Sequence, residues 1–314
     1  MSSAAIRKLL ACAAILAALP TTAGAVALQP ITTIFYPGST FTLVKGVNDY
    51  GELVGEYWTL VNGKSTTHAF YYDGSTYHNI DRNLSGSLNE AWGINNAGVI
   101  AADGNENGVY GGYYGEENNF TDFNGTLFDI NDVDMMVGSV SGQPIIYDIA
   151  QDSYANVNVP WGTSSAAVGM NNLNQVVGSY WTSGPTFIPH GYLFDGTGYT
   201  QIDYPNATST RAIGINDAGK VAGSYVDASG EHGYLYDIYS EVFTTIDIPN
   251  ASDTRIYDIN IYGMLVGDYV DAGGVHRGFI ATMVPVPPAL LLFGSGLAGL
   301  FGMTRLRRGH TLRT

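Results

Sequence analysis

Short segments that alternate apolar or small residues with polar ones recur along most of this chain, separated by turns rich in Gly and Asn. The clearest unit lies between Thr210 and Pro249, and its apolar segments contain many β-branched and aromatic residues, which pack well on a pleated sheet. In the turns, Gly and Asn can adopt positive φ. The pattern predicts four strands, at 211–215, 220–226, 232–236 and 242–247.

The same unit occurs six times. Each copy contains an apolar segment that ends in Asn and is followed by a turn; the six residues are Asn48, Asn95, Asn131, Asn171, Asn216 and Asn260. Their separations of 47, 36, 40, 45 and 44 residues are close to the ~40 to 50 typical of β-propeller blades. Copies two and three depart most from the pattern, and copy three has no turn glycine.

The sixth unit lacks a fourth strand after 276–280, and a segment with the missing pattern, 31–37, lies at the start of the array. If this segment completes the last blade, no sheet edge is left unpaired. The sequence therefore predicts an all-β fold, a six-bladed β-propeller closed by its N-terminal strand, as one domain over residues 26–282. An open β-solenoid is the alternative, but it would gain nothing from this arrangement.

The N-terminal residues 1–25 have the features of a secretory signal peptide. Arg7 and Lys8 precede an apolar segment, and Ala23 and Ala25 are small enough for a signal peptidase site. The single cysteine, Cys12, lies within this leader. The mature domain would therefore contain neither a disulfide nor a thiolate metal site.

Residues 283–314 form a second distinct segment. No charged residue occurs from Met283 to Thr304, a length close to what a membrane-spanning helix needs. Arginines follow directly, and positive flanks remain cytoplasmic. This favours a transmembrane helix at about 287–304 over a buried core helix, and it places the preceding domain outside the cytoplasm.

The C-terminal segment also resembles the PEP-CTERM sorting tail, although Val286 stands where Glu is common. The residues that carry the resemblance are Val284, Pro285, Pro287, Arg305, Arg307 and Arg308. The resemblance implies a Gram-negative bacterium that makes exopolysaccharide. It also implies an exosortase that cuts near the Pro motif, so that the protein is held at the inner membrane first and later reaches the cell surface or the outside.

The repeats resemble the extracellular HAF family, whose units contain Gly-Ile-Asn-x-x-Gly followed by His-Ala-Phe. Residues 68–73, His-Ala-Phe-Tyr-Tyr-Asp, match it closely, and variants begin at His190, His232 and His276. The resemblance implies an exported architecture and no particular activity. Because His68 and its three counterparts share one repeat position, we expect these imidazoles to be structural. We expect the six asparagines to bond backbone groups in their turns.

The sequence predicts no catalytic, cofactor-binding or metal-binding residues. Metal-ligand spacings are missing, and turns such as 227–230 supply one carboxylate where calcium needs about six to eight oxygens. Isolated acids in or near units two and three, where a unique function would lie, remain candidates for hydrolysis: Glu90, Asp103, Glu116, Glu117, Asp122 and Asp134.

Charge and aromatic content narrow the function. The segment between the leader and the tail contains seven Lys and Arg and 28 Asp and Glu, which gives it a net charge of −21. This charge disfavours nucleic acid and anionic lipid as partners. Aromatic residues could stack on sugars; the tryptophans are Trp58, Trp92, Trp161 and Trp181. The leading hypothesis is a non-enzymatic surface or matrix protein that binds polysaccharide or another protein. The alternatives are a secreted polysaccharide hydrolase or lyase, and a spacer with no ligand.

Overall fold

The computed structural model of the protein describes residues 26–28, 31–81, 89–106, 109–117, 119–182 and 187–285. This part of the chain is built from strands and contains no helix. The predicted signal peptide, residues 1–25, and the predicted helix at 287–304 lie outside the described residues. So do Pro287, Arg305, Arg307 and Arg308.

Six antiparallel sheets form the six blades, as predicted. Blade 1 contains β3 (Phe41–Val47), β4 (Leu53–Val61), β5 (Lys64–Tyr72) and β6 (Tyr77–Asn79). Blade 2 contains β7 (Asn89–Ile94), β8 (Ile100–Glu106), β9 (Val109–Glu116) and β10 (Asn119–Phe123). Blade 3 contains β11 (Thr126–Ile130), β12 (Met135–Val140), β13 (Gln143–Asp148) and β14 (Ser153–Asn156).

The remaining blades follow the same order, with the first strand innermost. Blade 4 contains β15 (Ser164–Met170), β16 (Val176–Trp181), β17 (Pro189–Phe194) and β18 (Tyr199–Ile202). Blade 5 contains β19 (Ser209–Ile215), β20 (Lys220–Asp227), β21 (Gly230–Asp237) and β22 (Val242–Ile246). Blade 6 contains β23 (Asp253–Ile259), β24 (Met264–Val270) and β25 (His276–Pro285).

Blade 6 is completed by two strands from the start of the chain, β1 (Val26–Leu28) and β2 (Thr32–Ile34). Both pair with β25: Ile34 lies opposite Gly278, and Val26 lies opposite Pro285. Strand β25 thus continues three residues past 282, the end assigned to the domain from the sequence. The pairing closes the ring as the repeat pattern predicted.

The core is divided into apolar clusters that lie between consecutive blades, which pack face to face. The cluster between blades 6 and 1 joins Ile34 to Val44, Phe70 and Val266, all at most 5% exposed. Closure therefore buries apolar side chains as well as pairing backbone, and burial of this kind is the main stabilising force in folding.

Every innermost strand contains a β-bulge at the same place. In blade 1, Val44 pairs with Gly55 and Gly46 pairs with Val54, so Lys45 is the extra residue. A bulge re-aims one side chain out of the sheet. The six bulged residues line the propeller axis: Lys45, Trp92, Phe128, Val168, Ile213 and Tyr257.

The two ends of the propeller carry different turns. The Asn face carries the turns that follow the six asparagines and the turns between third and fourth strands. The Trp face carries the turns between second and third strands and the connections between blades, and it includes Trp58 and Trp161.

Candidate functional site

The six asparagines form a closed ring around the axis at the Asn face. Each Nδ2 donates to the backbone oxygen of the asparagine in the next blade at 2.9 to 3.2 Å, and Asn260 completes the circle by donating to Asn48. Each Oδ1 also accepts the backbone N–H four residues later, at 2.9 to 3.0 Å. The side chains therefore fold their own turns and join neighbouring blades.

A second ring of residues covers the first, one position further along each turn, and five of its six members are polar. Its members are Asp49, Asn96, Asp132, Asn172, Asp217 and Ile261. Asn96 Nδ2 bridges Asp49 and Asp132 at 2.9 and 2.8 Å, and Asn172 Nδ2 bridges Asp132 and Asp217 at 2.9 and 3.0 Å. An amide therefore separates Asp49 from Asp132 and Asp132 from Asp217, whereas Ile261 stands between Asp217 and Asp49.

Below the rings, the axis contains a cavity of about 70 Å³ and two aspartates from opposite blades. Asp129 accepts N–H bonds from Ile130 and Met170 at 2.8 Å. Asp258 accepts them from Ile259 and Val47 at 2.7 and 3.0 Å. Burial raises the pKa of Asp258 to about 6. Burial, together with the charge of Asp258, raises the pKa of Asp129 well above its usual value.

The ring of bulged side chains blocks the axis beneath this cavity. Only about 10 Å³ of space remains between it and the two aspartates, less than one water molecule requires. Lys45 is the charged member and lies over the Trp92 ring, 3.5 Å from its centroid. Among the residues that the structure describes, no continuous pore joins the Asn face to the Trp face.

Toward the Trp face, the next layer holds ion pairs on blades 6, 1 and 2. Lys45 Nζ contacts Glu56 at 3.1 Å and Glu90 at 2.5 Å, while Arg255 contacts Asp268 at 3.3 Å. Burial opposes the charge on Lys45, but Glu56 and Glu90 outweigh it and raise the lysine pKa. Burial also raises the pKa of Glu56, ahead of the opposing effect of Lys45.

Three of the four repeat histidines make the same contacts at the start of the third strand. His68, His190 and His232 each stack on a tyrosine of the second strand at 4.9 to 5.2 Å between ring centroids. Each Nδ1 also lies 2.5 to 3.1 Å from an aspartate that follows the fourth strand. Identical contacts in three blades are those of a repeated packing element.

His276 differs, because Phe35 stands where the other blades have that aspartate. Its Nδ1 lies instead 2.6 Å from Oδ2 of Asp268, which is fully buried on the neighbouring strand. The imidazole also packs against Phe41, with ring centroids 4.4 Å apart. Phe41 in turn packs on Trp58 at 4.8 Å. The residue thus joins the axial ion pairs to the aromatic side chains of the Trp face.

Trp58, Phe41, His276, Asp268 and Glu56 form what we call the Trp58 corner, at the junction of blades 6 and 1. Trp58 is 36% exposed, and its Nε1 donates to Glu56 at 3.3 Å. A partly exposed indole beside paired acids and bases offers both a flat apolar surface and hydrogen-bonding groups. This arrangement suits a ligand with alternating apolar faces and hydroxyls.

A separate groove of about 370 Å³ lies between blades 1 and 2 on the Asn face. Its walls include Tyr50, Glu52, Tyr71, Glu116 and Glu117. Tyr71 donates to Glu52 at 2.7 Å, and burial, followed by this bond, raises the tyrosine pKa. Glu117 also pairs with His78, with its carboxylate 3.0 Å from Nδ1.

The candidate acids from the sequence are dispersed. Glu90 and Asp103 lie opposite each other on paired strands in the axial layer, where Asp103 accepts from Trp92 Nε1 at 3.1 Å. Glu116 and Glu117 line the groove instead. Asp134 has φ of 58° at the turn position where four other blades have Gly. The structure therefore does not bring these six acids together into one site.

Sequence reasoning missed Lys45, the aspartate pair and the groove. The sequence contains a signal for Lys45, because the residue three positions before the repeat asparagine is uncharged in the other five copies. Asp129 and Asp258 were visible as departures from the Gly of Gly-Ile-Asn. For the groove no sequence signal existed, because its walls come from two blades.

The described residues contain no group of three or more His, Cys, Asp or Glu side chains arranged to hold a metal ion. In the same part of the chain no helix is long and apolar enough to cross a membrane. Val284 and Pro285, from the predicted sorting motif, lie at the end of β25 opposite Ala27 and Val26.

The fold defines a six-bladed β-propeller, and comparison with solved structures supports this class. The β-propeller domain of the Trilobed protease from Pyrococcus furiosus, described as having an open Velcro topology, matches with a TM-score of 0.50 and 12% identity, over 77% of this chain and 97% of that one. TolB from Acinetobacter baumannii matches with a TM-score of 0.50 and 13% identity, over 74% of this chain and 64% of that one.

A structure of YCF48 bound to D1 peptide matches with a TM-score of 0.45 and 9% identity, covering 81% of this chain and 87% of that one. No protein-family model and no curated protein matches the chain. The matches to the Trilobed protease domain and to TolB, at 12% and 13% identity, show the fold alone, and a shared fold does not transfer a function.

Proposed function

We propose that this protein is an exported, non-enzymatic propeller of the cell surface or extracellular matrix that binds polysaccharide at the Trp58 corner. The leader at residues 1–25 and the sorting-type tail support export. The corner supports binding, since it combines an exposed indole with a rigid set of hydrogen-bonding groups on a closed scaffold. The exposure of Trp58 beside Glu56 is the observation on which the binding proposal rests.

Charge indicates which polysaccharides fit. The segment between the leader and the tail has a net charge of −21, so a polyanionic chain would be repelled from most of its surface. Arg255 lies beside the corner, but its charge is held by Asp268 and Glu231 at 3.3 and 2.8 Å. We therefore expect an uncharged polysaccharide as the ligand.

A glycan array, followed by titration of the full chain with the best uncharged glycan, tests the proposal. We expect Trp58→Ala to weaken binding by about tenfold, because stacking on the indole is lost. Trp161→Ala is the matched control, since Trp161 is also on the Trp face and 37% exposed but lies on another part of the ring. Equal binding by both variants and the wild type would contradict the proposed site.

Export and sorting have a separate test. We propose that signal peptidase releases the N-terminus near Val26 and that an exosortase cuts beyond Pro285. The pairing of Val26 with Pro285 supports this proposal, because both residues lie at strand ends. Mass spectrometry of the protein from the native cell surface should find a chain that begins near residue 26 and ends shortly after 285. An intact chain of 314 residues in the cytoplasm would refute this.

A polysaccharide hydrolase or lyase is the second candidate, and the departure of His276 from the repeat favours it. Only this histidine of the four pairs with a fully buried aspartate at the axis. If the pair performs acid or base chemistry, His276→Gln should abolish shortening of the host exopolysaccharide, while His232→Gln should leave it unchanged. Failure of the wild type to shorten any chain would eliminate this candidate.

A further inference from the structure

The groove between blades 1 and 2 has a strongly one-sided charge. Glu52, Glu116 and Glu117 line it, and none of its described lining residues is Lys or Arg. His78, outside this lining, pairs with Glu117 at 3.0 Å and leaves Glu52 and Glu116 without a basic partner among the described ion pairs. Glu52 already accepts hydrogen bonds from Tyr71 and from Asn48 Nδ2, at 2.7 and 2.5 Å, so its carboxylate is fixed in place. A ligand that enters this groove gains most if it carries a positive charge.

The aromatic walls specify the kind of cation. Tyr50 is 75% exposed at the edge of the groove, and Tyr71 lies further in. Tyrosine faces attract ammonium groups, including substituted ones, through the negative charge density of the ring. A small inorganic cation would not need these aromatic faces. The groove volume of about 370 Å³ also far exceeds what such an ion occupies.

The position of the groove indicates where the ammonium group comes from. The chain leaves the propeller on the same face, where Met283 N–H donates to the Gly263 oxygen at 3.5 Å in the turn after Asn260. Residues 286–304, which follow, contain no charge. If this segment crosses the membrane before the proposed exosortase cleavage, as the sequence predicts, the Asn face is turned toward the lipid headgroups at that stage.

We propose that the groove binds the ammonium head of a zwitterionic phospholipid, such as phosphatidylethanolamine or phosphatidylcholine. Tyr50 and Tyr71 contact the ammonium group, and Glu52, Glu116 and Glu117 balance its charge. Anionic headgroups without an amine are excluded by the same carboxylates. The choice of a lipid as the source rests on the proposed anchoring, whereas the ammonium chemistry rests on the groove itself.

The test titrates the full chain, in an uncharged maltoside detergent, with dihexanoyl phosphatidylethanolamine, dihexanoyl phosphatidylcholine, dihexanoyl phosphatidylglycerol and free ethanolamine. We expect the first two to bind and phosphatidylglycerol not to bind. Tyr50→Ala and Glu117→Gln should each weaken that binding by about three- to tenfold. Tyr262→Ala should not, because Tyr262 has the same place in its turn and the same 75% exposure, but does not line the groove.

Each other outcome overturns the proposal. Equal binding of phosphatidylglycerol would show that the carboxylates do not select a positive headgroup. Equal effects of Tyr50→Ala and Tyr262→Ala would show that the lipid does not bind in the groove. Binding of free ethanolamine as tightly as the lipid would show that a soluble amine is the occupant. Because polysaccharide binding is tested on the opposite face with Trp58→Ala, failure here is distinguishable from failure of the proposed function.

Discussion

At the residue scale, Asp129 and Asp258 show how a repeat can carry a local exception. They replace the glycine that the other four copies have before the apolar residue and Asn. A Cβ on Gly93 would lie 2.4 Å from Asp129 Oδ1, and one on Gly214 would lie 2.9 Å from Asp258 Oδ1. The backbone of the next blade is also close to these glycines, with Asp129 Cα 2.7 Å from a Cβ on Gly93 and Asp258 Cα 2.8 Å from one on Gly214, so both positions require glycine.

The raised pKa of Asp258 predicts a specific dependence of stability on pH. Because its folded pKa of about 6 exceeds the usual 3.8, its favourable contribution is complete below about pH 4 and is lost as pH rises through 6. Asp258→Asn should therefore become more stable relative to the wild type between pH 4 and 7, by about 2 kcal/mol. Denaturant unfolding at pH 4, 5, 6 and 7 measures this difference.

Asp195 provides a control of opposite sign. The N–H groups of Gly198 and Thr197 lower its pKa, so its contribution is present above the ordinary value and is lost as pH falls. Asp195→Asn should become less stable relative to the wild type as pH rises. A difference between Asp258→Asn and the wild type that does not change with pH would show that Asp258 keeps an ordinary pKa.

At the element scale, one asparagine both shapes the turn after each inner strand and joins that turn to the next blade. Asn95 is 3% exposed; its Oδ1 accepts from Ala97 and Val99, and its Nδ2 donates to Asn131 in the next blade. Where the turn lacks glycine, Asp134 and Asn174 adopt φ of 58° and 59°, so the turn shape is kept at the cost of some strain.

Replacing one asparagine of the ring should therefore destabilise the whole domain. Asn95→Ala leaves the N–H groups of Ala97 and Val99 without their side-chain acceptor and removes the bond to the Asn131 oxygen, and we expect it to cost about 2–4 kcal/mol. Asn119→Ala, at an exposed position on the outer strand of the same blade, should cost less than about 0.5 kcal/mol. Equilibrium unfolding in urea gives both values, and equal costs would mean that the ring contributes little.

Strands and turns were predictable because their signals are local: alternation within a segment, and Gly or Asn between segments. The bulges were not, since Lys45 becomes the extra residue only once its strand pairs with β4. The hydrogen bond from Asn95 to Asn131 and the walls of the groove join different blades. Such contacts depend on how the blades pack, which no single repeat contains.

At the scale of the whole molecule, the N-terminal strand closes the ring, and this was predictable because its pattern filled a gap in the last repeat. Ile34 is 5% exposed and packs among side chains of blades 6 and 1. Thr32, two residues earlier, is exposed on the same short strand. The closure therefore depends on one buried side chain more than on its polar neighbours.

Opening the closure should destabilise every blade. Ile34→Asp places a carboxylate in the cluster between blades 6 and 1, and we expect a loss of about 3–4 kcal/mol. Thr32→Asp, on the same strand but exposed, should change stability by less than about 0.5 kcal/mol. Thermal unfolding and limited proteolysis measure both. If Ile34→Asp were as stable and resistant as Thr32→Asp, closure by β2 would not hold the ring together.

The pairing of Val26 with Pro285 has a practical consequence for modular use of the domain. Neighbouring antiparallel strands lie only about 4.8 Å apart, so both backbone ends of the folded unit emerge from nearly one point. A unit of this shape can be spliced into a surface loop of an unrelated host, because the host loop need open by little more than one strand spacing.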